Sequence, residues 1–454
     1  MKNKFKICFT FISLLLICLL LGSCSSYFSS DLKSIKSTDI NELGELVIYY
    51  TDGTFENLGV VVGENGKNGE NGKDGADGEN GKDGLDGKDG IDGADGSITI
   101  IDGSVDTLEL AINKCLSNVV AIESTFSKYE VGILSEYHSA GSGVVYTTNK
   151  ETGDAIIITN YHVIYDEDST TTNGISSEIK IYPYGYYHSG VNATYLGGSS
   201  QYDIAVLKIT NCDHVKNSIL TPASLRSSSS LGLGESTFAL GNPQGNGIAA
   251  TIGVLSLDSE NIEMDAIVGS GTVNHRLLRT DTPINPGNSG GGLFDGVGNL
   301  IGIVNAKSVE SDVDCIGYAI PSDVAIGIVD NILYYYDGTS PVAPKRVLLG
   351  ITIGTNDSYT IYNSQKNRVE IKESVYVEEV SLTSVALGSI KKYDILKSIK
   401  INDKDPIETT RQFTIIDALL YARVGDTLII TFERNGALQT FECVVTDSML
   451  TEFP

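Results

Sequence analysis

The sequence is short of basic residues. It has 32 lysines and arginines against 58 aspartates and glutamates, a formal net charge of −26 over 454 residues. This charge argues against a nucleic-acid partner, because a phosphate backbone requires a basic protein face. The glycine-rich repeat near the N-terminus, residues 63–96, has ten aspartates and glutamates against four lysines, so it carries −6 of the −26. The remainder is a mildly acidic chain with room for two or three domains.

Cysteine is also scarce and lacks the spacing of a metal site. Of seven cysteines, two lie in the N-terminal apolar segment and a third is Cys24. The other four are Cys115, Cys212, Cys315 and Cys443. They allow two disulfides in three connectivities, or four buried thiols, and both alternatives stay open. We expect no metal and no other cofactor.

The N-terminal apolar run is too short to span a bilayer comfortably. Three lysines precede about fifteen apolar residues, as in a secretory signal. Its end, Leu21-Gly22-Ser23-Cys24, resembles a bacterial lipobox. That resemblance implies cleavage after residue 23 and lipid on Cys24; the alternative is an uncleaved membrane anchor. Either way, we expect an extracytoplasmic, membrane-anchored protein at a cell surface or in a periplasm, held by its acyl chains.

Proline is absent from a glycine repeat that follows. Residues 63–96 have glycine at every third position, twelve in all, which is the period of a collagen triple helix. Without proline such a helix is marginal on its own, and a flexible acidic linker is the alternative. Fully extended, this segment reaches roughly 100 Å. Before it, residues 24–62 contain a predicted β-hairpin around Asp52-Gly53.

Helical periodicity is rare in the rest of the chain. Residues 97–340 are dominated by short apolar strands between Gly, Asn, Asp and Ser turns, which favours barrels or sandwiches. Only residues 109–116 and 322–336 have helical spacing there, the second with Ser322 as its expected cap. After a proline-bearing linker, residues 347–447 form a separate unit with strands and one helix-like segment.

Histidines are few, and their positions exclude one class of enzyme. The stretch INPGNSGGGLF places Ser289 among glycines and satisfies G-x-S-x-G, the nucleophile motif of α/β-hydrolases. That fold requires its histidine after the serine. All five histidines precede Ser289: His138, His162, His188, His214 and His275. The α/β-hydrolase interpretation is therefore excluded.

Two upstream residues can activate Ser289. His162 ends an apolar strand, and Asp203 stands directly before the apolar run IAVLKI, where an unpaired carboxylate is costly to bury. Taken singly, His162 is better explained as a buried structural histidine, and a solvent-facing position explains Asp203 equally well. Together they occur in the order His, Asp, Ser of chymotrypsin-like proteases. Gly287 and Ser289 then provide amides for an oxyanion hole.

Several motifs occur in the order seen in one protease family. TNYHVI, YDIAVLKI, ALGNPQG, TDTPINPGNSGGGLF and IGYAIPSDVA together resemble the HtrA/Deg family of trypsin-like serine proteases over about residues 107–335. The resemblance implies a mostly β, chymotrypsin-like fold of two six-stranded barrels with the site in the cleft between them. It implies His162, Asp203 and Ser289 as the triad, with the amides of Gly287, Asn288 and Ser289 at the oxyanion hole. The family usually has proline where this chain has Gly292.

No acidic residue stands where a trypsin-type specificity pocket carries its aspartate. That position, six residues before the serine, is Pro283, and Ile284 follows it. We assign these two residues, with Asn305 and Ala306, to the specificity pocket. The prediction is cleavage after small or medium aliphatic residues, which the family resemblance also suggests.

Residues 347–447 resemble the PDZ domain of the same family. RVLLGI matches the carboxylate-binding loop, although Val347 replaces a usual glycine, and Tyr393 stands where a glycine is common. The resemblance implies a groove for peptide C-termini. The groove residues are Leu348, Leu349, Gly350 and Ile351.

These features predict a lipid-anchored, ATP-independent serine endopeptidase that degrades misfolded or exported proteins. Family members commonly trimerise through their protease domains, and a collagen helix is also three-stranded, so we expect a homotrimer. Two alternatives remain: a non-catalytic chaperone or peptide-binding scaffold, and a collagen-like surface adhesin.

Overall fold

The structure is a computed structural model that describes residues 35–41, 45–60, 107–170, 172–305 and 316–454. The predicted signal peptide, Cys24, the glycine repeat 63–96, Ala306 and Cys315 lie outside the described residues. Among the residues that are described, no helix has the length and apolar character needed to cross a membrane.

The first compact unit, which ends at Asp95, contains a three-stranded antiparallel sheet. Its strands are β1 (Ile35–Ile40), β2 (Glu45–Tyr50) and β3 (Phe55–Val60). The turn between β2 and β3 carries Gly53 at φ 84°, a conformation that glycine adopts without steric cost. Asp52 Oδ1 accepts the Thr54 amide at 2.8 Å. The predicted hairpin forms, and β1 is an additional strand that sequence patterning did not identify.

The second unit starts at Gly96 and opens with helix α1 (Thr107–Cys115). A seven-stranded antiparallel sheet follows in the spatial order β8-β7-β4-β5-β6-β10-β9. Short helices α2 (Tyr161–Ile164) and α3 (Asp213–Lys216) follow β6 and β10. The strands are β4 (Val119–Glu130), β5 (Ile133–Asn149), β6 (Asp154–Thr159), β7 (Glu178–Pro183), β8 (Val191–Asn192), β9 (Thr194–Ser199) and β10 (Ile204–Ile209).

This first sheet is curled. Strands β8 and β9 lie at opposite ends of the strand order, yet only Ala193 separates them in the chain. The two edges must therefore lie side by side. The Ala193 amide donates to Ile179 O of β7 at 2.9 Å, which holds the crossing residue to one edge.

A second sheet has the order β11-β16-β15-β12-β13-β14-β17, and β16 also pairs with β17. That pairing closes six strands into a ring, and the two-residue β11 is attached to β16 in parallel. The strands are β11 (Ser224–Leu225), β12 (Ser236–Gly241), β13 (Ala249–Asp265), β14 (Thr272–Thr280), β15 (Gly292–Asp295), β16 (Asn299–Asn305) and β17 (Gly317–Pro321). The expected six strands are thus present in each sheet, and each gains a short seventh.

The two predicted helices of this region both form. The second is α4 (Ser322–Tyr335), and its buried face packs into the largest hydrophobic cluster. Ser322 is not its cap, contrary to expectation, because the Ser322 hydroxyl donates to Arg226 O at 2.7 Å. The Asp323 amide in the first turn donates instead to Ser228 Oγ at 3.2 Å. A serine distant in sequence thus serves the helix terminus.

The C-terminal residues build a five-stranded path, β19-β20-β21-β23-β24, around a hydrophobic cluster of their own. Strand β22 pairs with β21, and β18 pairs with β25. The elements are β18 (Lys345–Val347), β19 (Ile351–Asn363), β20 (Arg368–Val380), β21 (Ile395–Ile401), β22 (Ile407–Glu408), α5 (Phe413–Leu419), β23 (Thr427–Arg434), β24 (Ala437–Val444) and β25 (Leu450–Glu452).

The sequence left open whether four cysteines form disulfides or remain thiols, and three of these four lie among the described residues. Cys115, Cys212 and Cys443 are free thiols, and the first two are buried. Burial raises the pKa of the Cys115 thiol to about 11. No disulfide joins these three.

Candidate active site

The structure brings His162 and Asp203 into direct contact. His162 lies in α2, directly after β6, and Asp203 ends the turn before β10. His162 Nδ1 is 2.7 Å from Asp203 Oδ2, and the His162 amide donates to Oδ1 at 3.0 Å. An ionised carboxylate only accepts, so in that state the ring proton is on Nδ1 and the Nε2 lone pair is free to act as a base.

Further donors satisfy the buried acid. Asp203 is 1 % exposed and has φ 54°, an uncommon backbone conformation for a residue other than glycine. Asn305 Nδ2 donates to Asp203 Oδ2 at 3.1 Å, and Asn160 Nδ2 donates to the Asp203 carbonyl at 2.8 Å. The Asn305 contact offsets part of the cost of desolvating the carboxylate, and the Asn160 contact holds the backbone of Asp203 in place. The side-chain amide of Asn305 thus contacts Asp203, and the assignment of Asn305 to the specificity pocket stays a prediction.

The loop that carries Ser289 packs against the strand that leads to His162. Gly290 has φ +82°, and a Cβ there would lie 2.2 Å from Ser142 O and 2.3 Å from Thr159 Oγ1. Only glycine permits this approach. Thr159 ends β6, so the loop is placed beside the segment 159–162. The Ser142 amide donates to Ser289 O at 2.8 Å and fixes the loop from the β5 side.

The peptide between Pro286 and Gly287 has a defined orientation. The Gln244 amide donates to Pro286 O at 2.9 Å. In a trans peptide the C=O and N–H bonds point in opposite directions, so the Gly287 N–H points away from Gln244. Gly287 has φ +96°, and a Cβ there would lie 2.3 Å from Asn242 O. This geometry suits Gly287 as an oxyanion donor.

Asn288 does not fit the role that the resemblance implied. Its amide donates to Asn285 O at 3.0 Å, closing a turn within the loop. An amide committed to a carbonyl is not available to a substrate oxyanion. The candidate oxyanion donors are therefore the amides of Gly287 and Ser289 alone.

Ser142 contacts the nucleophile loop, and sequence reasoning did not identify it. It is fully buried, and its Oγ accepts the Asn242 amide at 2.7 Å while donating to Gly287 O at 2.7 Å. One hydroxyl thus joins the ALGNPQG segment to the nucleophile loop. The sequence did hold one sign of close packing at Ser142, its place between two glycines. The structure shows why the first of them is glycine, since a Cβ at Gly141 would lie 2.5 Å from Val163.

The predicted pocket residues lie on the side of β17. Thr251 Oγ1 donates to Pro283 O at 2.8 Å, and Ile284 packs against a buried cluster of the second sheet. A Cβ on Gly317 would lie 2.7 Å from Ile284 Cδ1. Neither pocket residue is charged, and the specificity assignment stays a prediction.

The structure also shows a groove in the C-terminal region. A cavity of about 510 Å³ lies between the start of β19 and helix α5. All four predicted groove residues line it: Leu348, Leu349, Gly350 and Ile351. Gly350 has φ +70°. The Leu348 amide donates to Met449 O at 2.8 Å and is therefore committed within the protein. Tyr393 adopts φ 72°, a glycine-like conformation at a position where the family commonly has glycine.

Residues 141–303 match the family description "Trypsin-like peptidase domain". The chain is 33% identical over 310 residues to the Serine protease Do-like HtrA of Bacillus subtilis (strain 168), covering 66% of this chain and 62% of that protein. It is 32% identical over 309 residues to the Serine protease Do-like HtrA of Lactococcus lactis subsp. cremoris (strain MG1363), covering 66% and 69%. A solved structure, HtrA-type protease AlgW with tripeptide, aligns at 25% identity and a TM-score of 0.47, covering 76% of this chain and 98% of that one. At the identity and coverage found for the Lactococcus protein, the chain belongs to the HtrA family of Do-like serine proteases.

Proposed function

We propose that the protein is a serine endopeptidase and that His162, Asp203 and Ser289 are its catalytic residues. The observation that carries this proposal is the pair of hydrogen bonds from His162 to the buried Asp203 carboxylate, at 2.7 and 3.0 Å. Ser289 Oγ attacks the substrate carbonyl carbon while His162 Nε2 accepts its proton. The same nitrogen then protonates the leaving amine, and water releases the acyl group in a second cycle.

The developing negative charge falls on the substrate carbonyl oxygen. The amides of Gly287 and Ser289 donate to it, and the hydrogen bond from Gln244 to Pro286 O keeps the first of them oriented before substrate arrives. The chemistry requires only water, so the proposed reaction is independent of ATP.

Misfolded or exported polypeptides are the proposed substrates, cut after small or medium aliphatic residues. The uncharged Pro283 and Ile284 support this choice, because neither could pair with a lysine or arginine side chain. A series of peptides varied at the residue before the cut checks it: valine substrates should be cleaved faster than arginine or lysine substrates. A tenfold advantage for arginine would contradict the assignment.

The C-terminal region is proposed to bind peptide C-termini as a PDZ domain. Strand β19 is the first strand of its sheet path, and the groove beside it is walled by α5 residues Ile415, Ile416 and Leu419. An extended peptide can add to such an edge through main-chain hydrogen bonds while its apolar side chain meets the helix.

The lipid anchor on Cys24 and the homotrimer belong to the same proposal. The lipobox-like end of the apolar segment supports the anchor, and the glycine period of residues 63–96 supports a three-chain stalk. Light scattering at micromolar concentration checks the assembly; a monomer would count against it.

Digestion of casein by the full chain tests the catalytic proposal. The wild type should produce fragments, and Ser289→Ala should not, because the nucleophile is lost while the fold remains. Equal digestion by both proteins would refute the assignment of Ser289. Loss of digestion in both would favour a peptide-binding scaffold.

A further inference from the structure

The first sheet carries a small cavity beside the nucleophile loop. Its volume is about 200 Å³, and its lining includes Glu123, Ala140, Tyr182, Tyr187 and Gly245. Asn242, which donates to Ser142 Oγ through its amide, also lines it. The cavity therefore adjoins the segments that position Gly287.

The strand register places Glu123 at a definite distance from the loop. Ser142 lies opposite Ala121, and Ala140 lies opposite Glu123, in the β4–β5 pair. Ala140 and Ser142 are two residues apart on one strand, so their Cα atoms are separated by about 7 Å and share a face. Glu123 lies on the neighbouring strand β4, with its Cα about 5 Å from the Cα of Ala140. Since Ser142 contacts Ser289 O, Glu123 is within reach of a substrate that crosses Ser289.

The cavity lies on the side of the loop opposite the predicted pocket. Gly290 N donates to Val304 O at 3.0 Å, so the end of β16 forms one wall of the loop. Ser142 and the 242–244 segment form the other. If the acyl side chain occupies the pocket at Pro283 and Ile284, the leaving part of the substrate passes Ala140 and Gly245.

The chemistry of the cavity suits a cation. Glu123 is half-buried and forms no salt bridge within the described part of the chain. Lys180, which lies opposite it on β7, is paired with Glu178 at 2.9 Å. Tyr182 OH donates to Glu123 Oε1 at 3.4 Å, and Tyr187 adds a second, half-exposed ring. A carboxylate beside aromatic faces attracts a guanidinium or ammonium group through charge and cation–π contacts.

We propose that this cavity is a subsite for a lysine or arginine side chain in the second residue after the scissile bond. Two extended residues span about 7 Å, which matches the step from Ser142 to Ala140. The subsite rests on the proposed endopeptidase function. The predicted specificity pocket has no acidic residue. The subsite therefore gives the enzyme a separate way to select basic segments of a substrate.

Two quenched fluorescent peptides test the subsite. They share a valine before the scissile bond and differ only in the second residue after it, arginine or norleucine, with the cut confirmed by mass spectrometry. In the wild type we expect kcat/KM to be about fivefold higher for the arginine peptide, the size of one partly exposed charge contact. Glu123→Gln should bring this ratio near one and leave the norleucine peptide's rate unchanged.

Glu151→Gln is the control, because it removes an exposed carboxylate that does not line the cavity and should keep the fivefold ratio. An arginine preference that survives in Glu123→Gln, or falls equally in Glu151→Gln, would overturn the subsite. Cleavage of neither peptide by the wild type would overturn the endopeptidase proposal as well. An unchanged norleucine rate in Glu123→Gln shows that the variant is folded.

Discussion

At the scale of single residues, one buried hydroxyl has more influence on the site than its place in the sequence suggests. Ser142 Oγ both accepts from Asn242 and donates to Gly287 O, so it fixes the loop between Gly287 and Ser289. Ser142 is a positioning residue in this scheme because it acts through the peptides around it. Its contribution should therefore appear in the chemical step, where the oxyanion forms.

Replacement of Ser142 by alanine should lower kcat about tenfold and leave KM nearly unchanged, because the loss of orientation affects the transition state more than substrate binding. Two polar groups lose their partner, so unfolding should become easier by about 1–3 kcal/mol. Steady-state kinetics and thermal melts measure both effects. Ser124→Ala is the control: Ser124 is also fully buried, but its hydroxyl has no hydrogen-bond partner among the described residues. Equal kinetic losses in the two variants would contradict the positioning role.

The limits of sequence reasoning are also clearest at single residues. The order of His162, Asp203 and Ser289 was readable because the chemistry demands those residue types. The contact of Asn305 with Asp203 was not foreseen, because strand alternation does not show which neighbour a side chain will meet. Asn288 was given an oxyanion role by family resemblance, but its amide closes a turn. Ser142 was missed because its partners are 100 and 145 residues away.

At the scale of elements, periodicity located the helices, but tertiary contacts decided how they begin. Helix α4 starts with Pro321 as its N-cap, and no side-chain hydrogen bond caps it from that position. The turn 227–229 provides the partners: Ser228 Oγ accepts the Asp323 amide, and the Ser229 amide donates to Asp323 Oδ2 at 2.9 Å. Local sequence could not reveal this arrangement, because the cap lies on another segment.

Ser228→Ala should destabilise the protein by about 1 kcal/mol, the usual value of an N-terminal helix cap. Ser229→Ala should have a smaller effect, because its backbone amide remains and its exposed hydroxyl contacts Ser227 Oγ, itself an exposed group. Chemical denaturation of both variants measures the difference. A Ser228 variant as stable as the wild type would show that water replaces the lost acceptor.

At the scale of the whole second unit, charged pairs join the C-terminal region to the second sheet and to the turn that precedes its strand β12. Arg368 contacts Glu235 at 2.9 Å and Arg411 contacts Asp258 at 2.7 Å. Asp417 of α5 pairs with Arg276 of β14, and its side chain is 15 % exposed. The C-terminal region has a hydrophobic cluster of its own, and the division of the chain near residue 347 stays a prediction. These ion pairs could not be predicted, because the sequence does not show which charged residues meet in the folded protein.

Asp417 should make the stability of this junction depend on pH. Burial raises the pKa of its carboxyl from the ordinary 3.8 to about 6, although Arg276 opposes the rise. Between pH 4 and 6 the folded state then binds more protons than the unfolded state, so this group's contribution to stability falls as pH rises and levels off above 6. Asp417→Asn mimics the neutral form. We expect the stability of the wild type to fall relative to that of the variant as the pH rises from 4 to 7. Denaturation of both proteins at several pH values measures the difference. A wild type more stable than the variant at pH 7 would show that the charge pair with Arg276 outweighs desolvation.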